Sequence, residues 1–141
     1  MKLEELQTEI QKDCVISEDL ILESRRVPAL HGKYLGLKSQ EYLLQKNLEM
    51  QLDTIEMQRW LFYTGKATPE EYKAEKFELK LLKTDVDIFM KADKKIQDIK
   101  GRVEVQKQKC SMCDEMIRAL NQRTFLIKNI IEEKRFVNGL N

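Results

Sequence analysis

Apolar residues recur at helical spacing along most of the chain. Between residues 29 and 64, leucine, isoleucine and tyrosine return every three, four or seven positions, which is the period of one helix face. A second stripe alternates spacings of three and four, as in a coiled-coil seam. Its members are Ile96, Ile99, Val103, Gln106, Cys110, Cys113, Ile117 and Leu120. The pattern predicts two long helical rods packed antiparallel against each other.

Capping residues predict where these rods begin and end. Gly65 follows the first rod and can adopt the left-handed conformation that terminates a helix. Thr68 and Pro69 suit the N-cap and first position of a new helix, which we expect to run through Leu81. Asp93 is a suitable cap for the second rod. The chain should therefore reverse direction in a tight turn after the first rod, forming a helical hairpin.

Shorter helices are expected before the hairpin. Residues 3 to 12 have the pattern of a short amphipathic helix that must dock on another element. Ser17 could cap a second helix, which we expect Pro28 to interrupt because proline lacks an N–H and clashes with the preceding turn. Residues 84 to 92 are ambiguous between a helical turn and an extended piece, because their apolar residues partly alternate.

The last segment is rich in apolar residues for a chain terminus. We predict a bend at Arg123 and then a separate helix, which either folds back on the rods or assembles subunits. The candidate oligomerisation residues are Phe125, Ile127, Ile130, Ile131 and Phe136. The prediction is a single all-α domain with three parts. These are acidic N-terminal helices (1–27), a hairpin (28–122, tip near 59–69) and a C-terminal assembly helix (123–141).

Charge is segregated although the formal net charge of the 141 residues is only +1. Residues 1 to 24 are acidic, whereas residues 25 to 46 and 91 to 109 are basic. Segregated charge can steer a polyanion to one surface, but it is equally compatible with ordinary solvated helix faces.

The tip of the hairpin combines aromatic and basic residues. Aromatic faces can stack on unpaired bases while cations neutralise phosphates, which is typical of single-strand nucleic-acid binding. The candidate contacts are Arg59, Trp60, Phe62, Tyr63 and Lys66, with Lys94 and Lys95 from the second basic segment. Aromatic residues near a helix end also commonly close a core, so both interpretations stay open.

Other chemistry is poorly supported. Cys110 and Cys113 form a CxxC pair that could suggest a redox or metal site, but both occupy seam positions, where cysteine behaves as a small hydrophobe. Only Cys14 and His31 remain as further zinc ligands. We predict no metal, no cofactor and no enzymatic activity. Three cysteines and no long apolar run indicate a protein of a reducing cytoplasm without a signal peptide or membrane span.

Several stretches resemble the UvsY family of recombination mediators of tailed bacteriophages. They are residues 1–7 (MKLEELQ), 33–35 (KYL), 59–65 (RWLFYTG) and 123–130 (RTFLIKNI). The resemblance covers almost the whole chain in order.

The resemblance implies a function for the protein. Family members form ring-like oligomers, here expected to be a hexamer or heptamer, and bind single-stranded DNA. They help the phage recombinase displace the single-strand binding protein during recombination, repair and recombination-dependent replication in the infected cell. The family's basic DNA-binding pair maps onto Arg59 and Met57, so one cation of the pair is replaced. Its assembly helix maps onto residues 124–138. A helical adaptor or assembly chaperone without DNA binding is the alternative.

Overall fold

The computed structural model describes residues 1–139 and places five helices within them. The last two residues of the predicted segment 123–141 lie outside this range. The helices are α1 (Leu3–Cys14), α2 (Leu20–Tyr63), α3 (Pro69–Ala74), α4 (Lys83–Ala92) and α5 (Lys94–Val137). No strand occurs in the described part, and the all-α class with two long helices is confirmed. No helix of these 139 residues is long and apolar enough to cross a membrane.

The chain divides into two compact units that share the two long helices. Unit 1 consists of residues 1–42 with 107–141, and unit 2 consists of residues 43–106. Within each unit, α2 and α5 run antiparallel, because later residues of α2 pair with residues earlier in α5 or immediately before it. In unit 1, Lys38 pairs with Asp114 at 2.6 Å and Glu41 with Lys109 at 3.0 Å. In unit 2, Glu56 lies 3.8 Å from Lys100, and Arg59 pairs with Asp93 at 2.6 Å.

Unit 1 has a core made by three helices. The buried cluster contains Leu6 of α1, Leu30 and Tyr34 of α2, and Cys113, Met116 and Leu120 of α5. Leu6 is only 1% exposed, so α1 does dock on the long helices. Because a twelve-residue helix is marginal alone in water, this burial supplies most of its stability.

A network of charged groups is buried beside this core. The Asp13 carboxylate accepts a hydrogen bond from the Tyr34 hydroxyl at 2.8 Å and pairs with the Lys33 ammonium. The Arg123 guanidinium donates to the Asp13 backbone carbonyl and lies 3.9 Å from the Glu23 carboxylate. Buried charges are costly unless they are paired, so this network fixes how α1, α2 and α5 meet.

The predicted seam of α5 is confirmed. Ile96, Ile99, Val103 and Gln106 are buried in unit 2, and Cys110, Cys113 and Leu120 are buried in unit 1. Ile117 is partly buried and packs against the core of unit 1, where Met116 takes the more enclosed position. The heptad spacing therefore located the buried face correctly.

The predicted start of α2 and its break at Pro28 are wrong. The helix begins at Leu20, where the Asp19 carboxylate accepts a hydrogen bond from the Leu22 N–H at 3.1 Å, and it continues through Pro28 to Tyr63. Proline removes one intrahelical hydrogen bond locally. Leu30 and Tyr34, which follow Pro28 in the same helix, are buried, and burial of a large apolar side chain contributes about 1.5 to 3 kcal/mol. Packing therefore offsets the local cost.

Two further boundaries differ from the prediction, and one ambiguity is resolved. The helix that begins at Pro69 ends at Ala74 and does not reach Leu81, because Phe77 turns back to pack on the aromatic residues of the tip. The ambiguous residues 84–92 are helical. There is no bend at Arg123, since α5 runs unbroken to Val137 and the buried Arg123 side chain ties it to α1. The predicted C-terminal helix is therefore the last part of α5.

Candidate nucleic-acid interface

The tip of unit 2 is a turn held by local hydrogen bonds. Gly65 has a φ of +76°, the left-handed conformation expected for the residue that ends α2. The Thr68 hydroxyl accepts a hydrogen bond from the Glu71 N–H at 3.3 Å and caps α3 as predicted. The Tyr72 hydroxyl donates to the Phe62 carbonyl at 2.8 Å. The Phe62 carbonyl also accepts the Gly65 N–H at 3.3 Å, so the Tyr72 hydroxyl is its second donor and fastens α3 to the end of α2.

Five aromatic rings pack behind this turn. Phe62 is 2% exposed and lies between Tyr72, stacked at 5.1 Å, and Phe77, tilted at 5.3 Å. Tyr63 is partly buried and meets Phe89 at 5.8 Å. The structure therefore places Phe62 inside the aromatic cluster, where both of its faces are covered by protein.

Arg59 lies buried beside this cluster and is fully engaged. Its Nε donates to the Asp93 carboxylate at 2.6 Å, and its two terminal nitrogens contact the Glu75 carboxylate at 2.8 and 3.1 Å. The guanidinium carbon also lies 4.2 Å from the centre of the Phe62 ring, a cation–π arrangement. Two carboxylates therefore compensate the positive charge of Arg59.

Asp93 organises this arrangement. One of its oxygens accepts hydrogen bonds from Arg59 and from the Tyr63 hydroxyl, and the other accepts from the Ile96 N–H at 2.9 Å, capping α5 as predicted. Burial alone would raise the pKa of Asp93, but these hydrogen bonds lower the pKa below the usual value. The pKa of Tyr63, by contrast, is raised by burial and by the hydrogen bond that its hydroxyl donates to Asp93. Asp93 therefore stays ionised and Tyr63 stays neutral near neutral pH.

Trp60 and Lys66 are the predicted contacts that face solvent at the tip. Trp60 is 38% exposed, and the Lys66 ammonium lies 4.7 Å from the centre of its ring. Met57, one turn earlier, is also exposed. A partly exposed indole next to an exposed cation suits stacking on a base with neutralisation of its phosphate.

Lys94 and Lys95 are exposed in the first turn of α5. The Lys95 ammonium lies 3.8 Å from the same Glu75 carboxylate that contacts Arg59. A groove of about 310 Å³ opens beside Arg59, Glu75 and Lys95. It is lined by Ile55, Gln58, Arg59, Phe62, Glu71, Ala74, Glu75 and Lys95. The structure thus brings Arg59 and Lys95 together, although they are distant in sequence.

The candidate assembly residues lie at the end of α5 in unit 1. Phe125, Ile131 and Phe136 are exposed, at 68%, 42% and 77% respectively. Ile130 is partly buried, and Ile127, at 3% exposure, belongs to the core of unit 1. Two residues absent from the predicted set, Leu126 and Val137, are also exposed.

Sequence reasoning missed the acidic partner Glu75 and the supporting rings Tyr72, Phe77 and Phe89. The Thr68 cap provided a sequence signal for Tyr72, since a tyrosine one turn into a capped helix can reach back to the preceding turn, as it does here. Glu75 carried no signal, because an acidic residue beyond a short helix is ordinarily solvated.

The cysteines are all free thiols. Cys110 and Cys113 are buried and Cys14 is exposed. Burial raises the pKa of Cys110, and burial together with the nearby Cys110 raises the pKa of Cys113 to about 11. No group of three or more histidine, cysteine, aspartate or glutamate residues within the described range could hold a metal ion. The burial agrees with the predicted seam role of the CxxC pair.

Fold and site together define an all-α protein with an exposed aromatic and basic tip and an exposed apolar helix end. The model of the family described as "Recombination, repair and ssDNA binding protein UvsY" matches residues 9–140, and the chain belongs to this family.

Comparison with individual proteins agrees. The chain is 26% identical over 140 residues to the recombination protein uvsY of Enterobacteria phage T4, covering 99% of each protein. Two crystal structures of the bacteriophage T4 recombination mediator protein UvsY superpose with a TM-score of 0.81, at 23% and 24% identity. They cover 96% and 98% of this chain and 98% of each T4 chain. The structural likeness shows that the fold is shared, and the predicted family is confirmed.

Proposed function

We propose that this protein is a phage recombination mediator that binds single-stranded DNA as a ring-like oligomer, a hexamer or heptamer. In this role it promotes loading of the phage recombinase onto DNA covered by the single-strand binding protein, in the cytoplasm of the infected host. Membership of the UvsY family, matched over residues 9–140, supports this role. The recombinase and the single-strand binding protein are its proposed protein partners.

The exposed pair of Trp60 and Lys66 is the observation that carries the DNA-binding part of the proposal. The indole offers a stacking face, and the ammonium 4.7 Å from the ring centre can neutralise the adjoining phosphate. Stacking of one base on an aromatic side chain contributes about 1 to 3 kcal/mol. Lys94 and Lys95 extend the positive surface. Arg59 and Phe62 border the groove, and together with Tyr63 they hold the tip in shape.

Assembly strengthens a weak site by repetition. One subunit with a few cations binds DNA weakly at physiological salt, since each phosphate contact is screened. A ring that presents the same tip several times raises the effective concentration of the later contacts. The exposed Phe125, Ile131 and Phe136, joined by Leu126 and Val137, form the proposed assembly surface.

The test is a titration of the protein with single-stranded and duplex oligonucleotides at several salt concentrations, following the fluorescence of Trp60. We expect preferential single-strand binding that weakens with salt and quenches the indole. Lys66→Ala should weaken binding. The slope of log K against log salt concentration should become shallower by about 0.7 for each phosphate that is no longer neutralised. Lys80→Ala removes the same charge from an exposed position away from the turn and should bind as the wild type does.

Two outcomes would change the proposal. Salt-sensitive binding without quenching would move the contact from Trp60 toward Lys94 and Lys95. Absence of single-strand binding at low salt would exclude the mediator role.

One observation favours the alternative, a helical adaptor without DNA binding. Arg59 is neutralised by Asp93 and Glu75, and Phe62 is enclosed, so two of the predicted contacts serve the fold. The adaptor predicts no salt-sensitive DNA affinity in the oligonucleotide titration.

A further inference from the structure

Arg59 has two acidic partners of different character. The Asp93 side chain is 2% exposed and is held by Tyr63 and by the Ile96 N–H, so it is a permanent partner. The Glu75 side chain is 48% exposed, lies immediately beyond α3, and contacts the buried guanidinium of Arg59 and the exposed ammonium of Lys95. Glu75 therefore reaches solvent and can leave the guanidinium, whereas Asp93 is enclosed with it.

The geometry of the Glu75 contact is that of an anion site. Its two oxygens meet the two terminal nitrogens of Arg59 at 2.8 and 3.1 Å, a bidentate pair. Guanidinium binds carboxylate and phosphate in the same bidentate manner. The Lys95 ammonium lies 3.8 Å from Oε2 of the same carboxylate, and all three groups line the groove of about 310 Å³.

We propose that the terminal nitrogens of Arg59 and the ammonium of Lys95 form a phosphate site, and that Glu75 is an internal competitor which a DNA phosphate must displace. The proposal rests on the proposed function, since the phosphate is that of the bound single strand. Asp93 remains in place throughout and keeps the guanidinium pointed toward the groove. Glu75 thereby lowers the affinity of each tip for DNA, which keeps binding dependent on many subunits acting together.

Glu71 also lines the groove and adds negative charge there. The hydrogen bonds and ion pairs of the described residues include none between Glu71 and Arg59. Glu71 donates its backbone N–H to the Thr68 hydroxyl and belongs to the cap of α3. A test must therefore separate the specific effect of Glu75 from a general change in charge.

Glu75→Gln removes the competing charge and keeps the shape of the side chain. Single-strand affinity should rise about two- to fivefold at moderate salt, because the phosphate no longer competes with a charged carboxylate for the guanidinium. Glu78→Gln is the matched control, because it makes the same charge change at an exposed position three residues later. Adding Lys95→Ala to Glu75→Gln should reduce the gain. Equal affinities of the Glu75→Gln and Glu78→Gln proteins would overturn the proposal.

A second titration tests the site without DNA. Inorganic phosphate is added to each protein while the side-chain N–H resonances of Arg59 are followed by NMR. The midpoint of the titration of Glu75→Gln should lie at a lower phosphate concentration than the midpoints for the wild type and for Glu78→Gln. Identical midpoints, or no movement of the Arg59 signals in Glu75→Gln, would exclude a phosphate site. If the wild type fails to bind single strands, the proposed function fails, whereas this titration still tests the site itself.

Discussion

The Nε of Arg59 donates a hydrogen bond of 2.6 Å to the carboxylate of Asp93, joining the end of α2 to the start of α5. Both side chains are buried, at 8% and 2% exposure. The same carboxylate caps α5 and receives the Tyr63 hydroxyl. One acidic residue therefore compensates a buried charge, starts a long helix and positions an aromatic ring of the tip.

Removing Asp93 should destabilise the protein strongly. Asp93→Ala leaves Arg59 buried with one exposed partner and deprives α5 of its cap. Loss of one member of a buried pair costs about 3 to 5 kcal/mol. We expect a decrease of that size in the free energy of unfolding, measured by urea denaturation.

Two variants control this measurement. Asp98→Ala removes an aspartate from an exposed position one turn further along α5 and should change stability by less than about 0.5 kcal/mol. Asp93→Asn retains an oxygen for capping, so its free energy of unfolding should decrease less than that of Asp93→Ala. Equal effects at positions 93 and 98 would contradict the role assigned to Asp93.

Stability should fall in acid partly through Asp13. Burial by itself would raise the pKa of Asp13, but hydrogen bonds from Lys33 and Tyr34 and the charges of Lys33 and Arg26 lower the pKa below its usual value. Ionised Asp13 therefore stabilises the fold above the pKa of the unfolded chain, about 3.9, and this contribution is lost as pH falls through the lower folded pKa.

The measurement is urea unfolding between pH 6 and pH 2. The wild type should lose stability below about pH 4, and Asp13→Asn, less stable at pH 6, should show a shallower decline in that range. Tyr34→Phe removes one of the hydrogen bonds and should have a smaller effect of the same sign. A decline as steep in Asp13→Asn as in the wild type would exclude Asp13 as the source.

The thiols should differ sharply in reactivity. Cys14 is exposed, whereas the buried Cys113 has its pKa raised to about 11, so little thiolate forms at pH 8. Iodoacetamide should modify Cys14 first in the native protein, with Cys113 roughly a hundredfold slower. Peptide mass spectrometry follows each site, and denaturant should equalise the rates.

The same cysteines test a redox or metal role. Changing both Cys110 and Cys113 to alanine should cost stability through poorer packing but leave single-strand DNA binding intact. Loss of binding by a double variant that remains folded would revive a chemical role for the pair.

Assembly should depend on the exposed aromatic residues at the end of α5. Phe136→Asp should weaken each subunit contact about 30-fold, from the loss of roughly 2 kcal/mol of apolar burial. Sedimentation velocity at micromolar concentration should show smaller species. Leu79→Asp alters an exposed apolar residue of unit 2 and should leave the mass unchanged. An unchanged mass for both Phe136→Asp and Phe125→Asp would place the assembly surface elsewhere.

Local patterns predicted much of the fold. Heptad spacing identified the buried face of α5, and Asp93, Thr68 and Gly65 marked helix ends correctly, because capping depends on a few neighbouring residues. The break predicted at Pro28 was wrong because proline's cost is local, whereas the burial that outweighs it comes from residues distant in sequence.

The sequence by itself determined the helical class, the family and the presence of aromatic and basic residues at the tip, since these follow from spacing and residue type. Only the tertiary structure decided which of them remain accessible. Arg59 is paired with Asp93 and Glu75, and Phe62 is enclosed, whereas Trp60 and Lys66 face solvent. The physical reason is that exposure and charge compensation depend on contacts between residues 16 to 34 positions apart, and helical periodicity carries no information about such contacts.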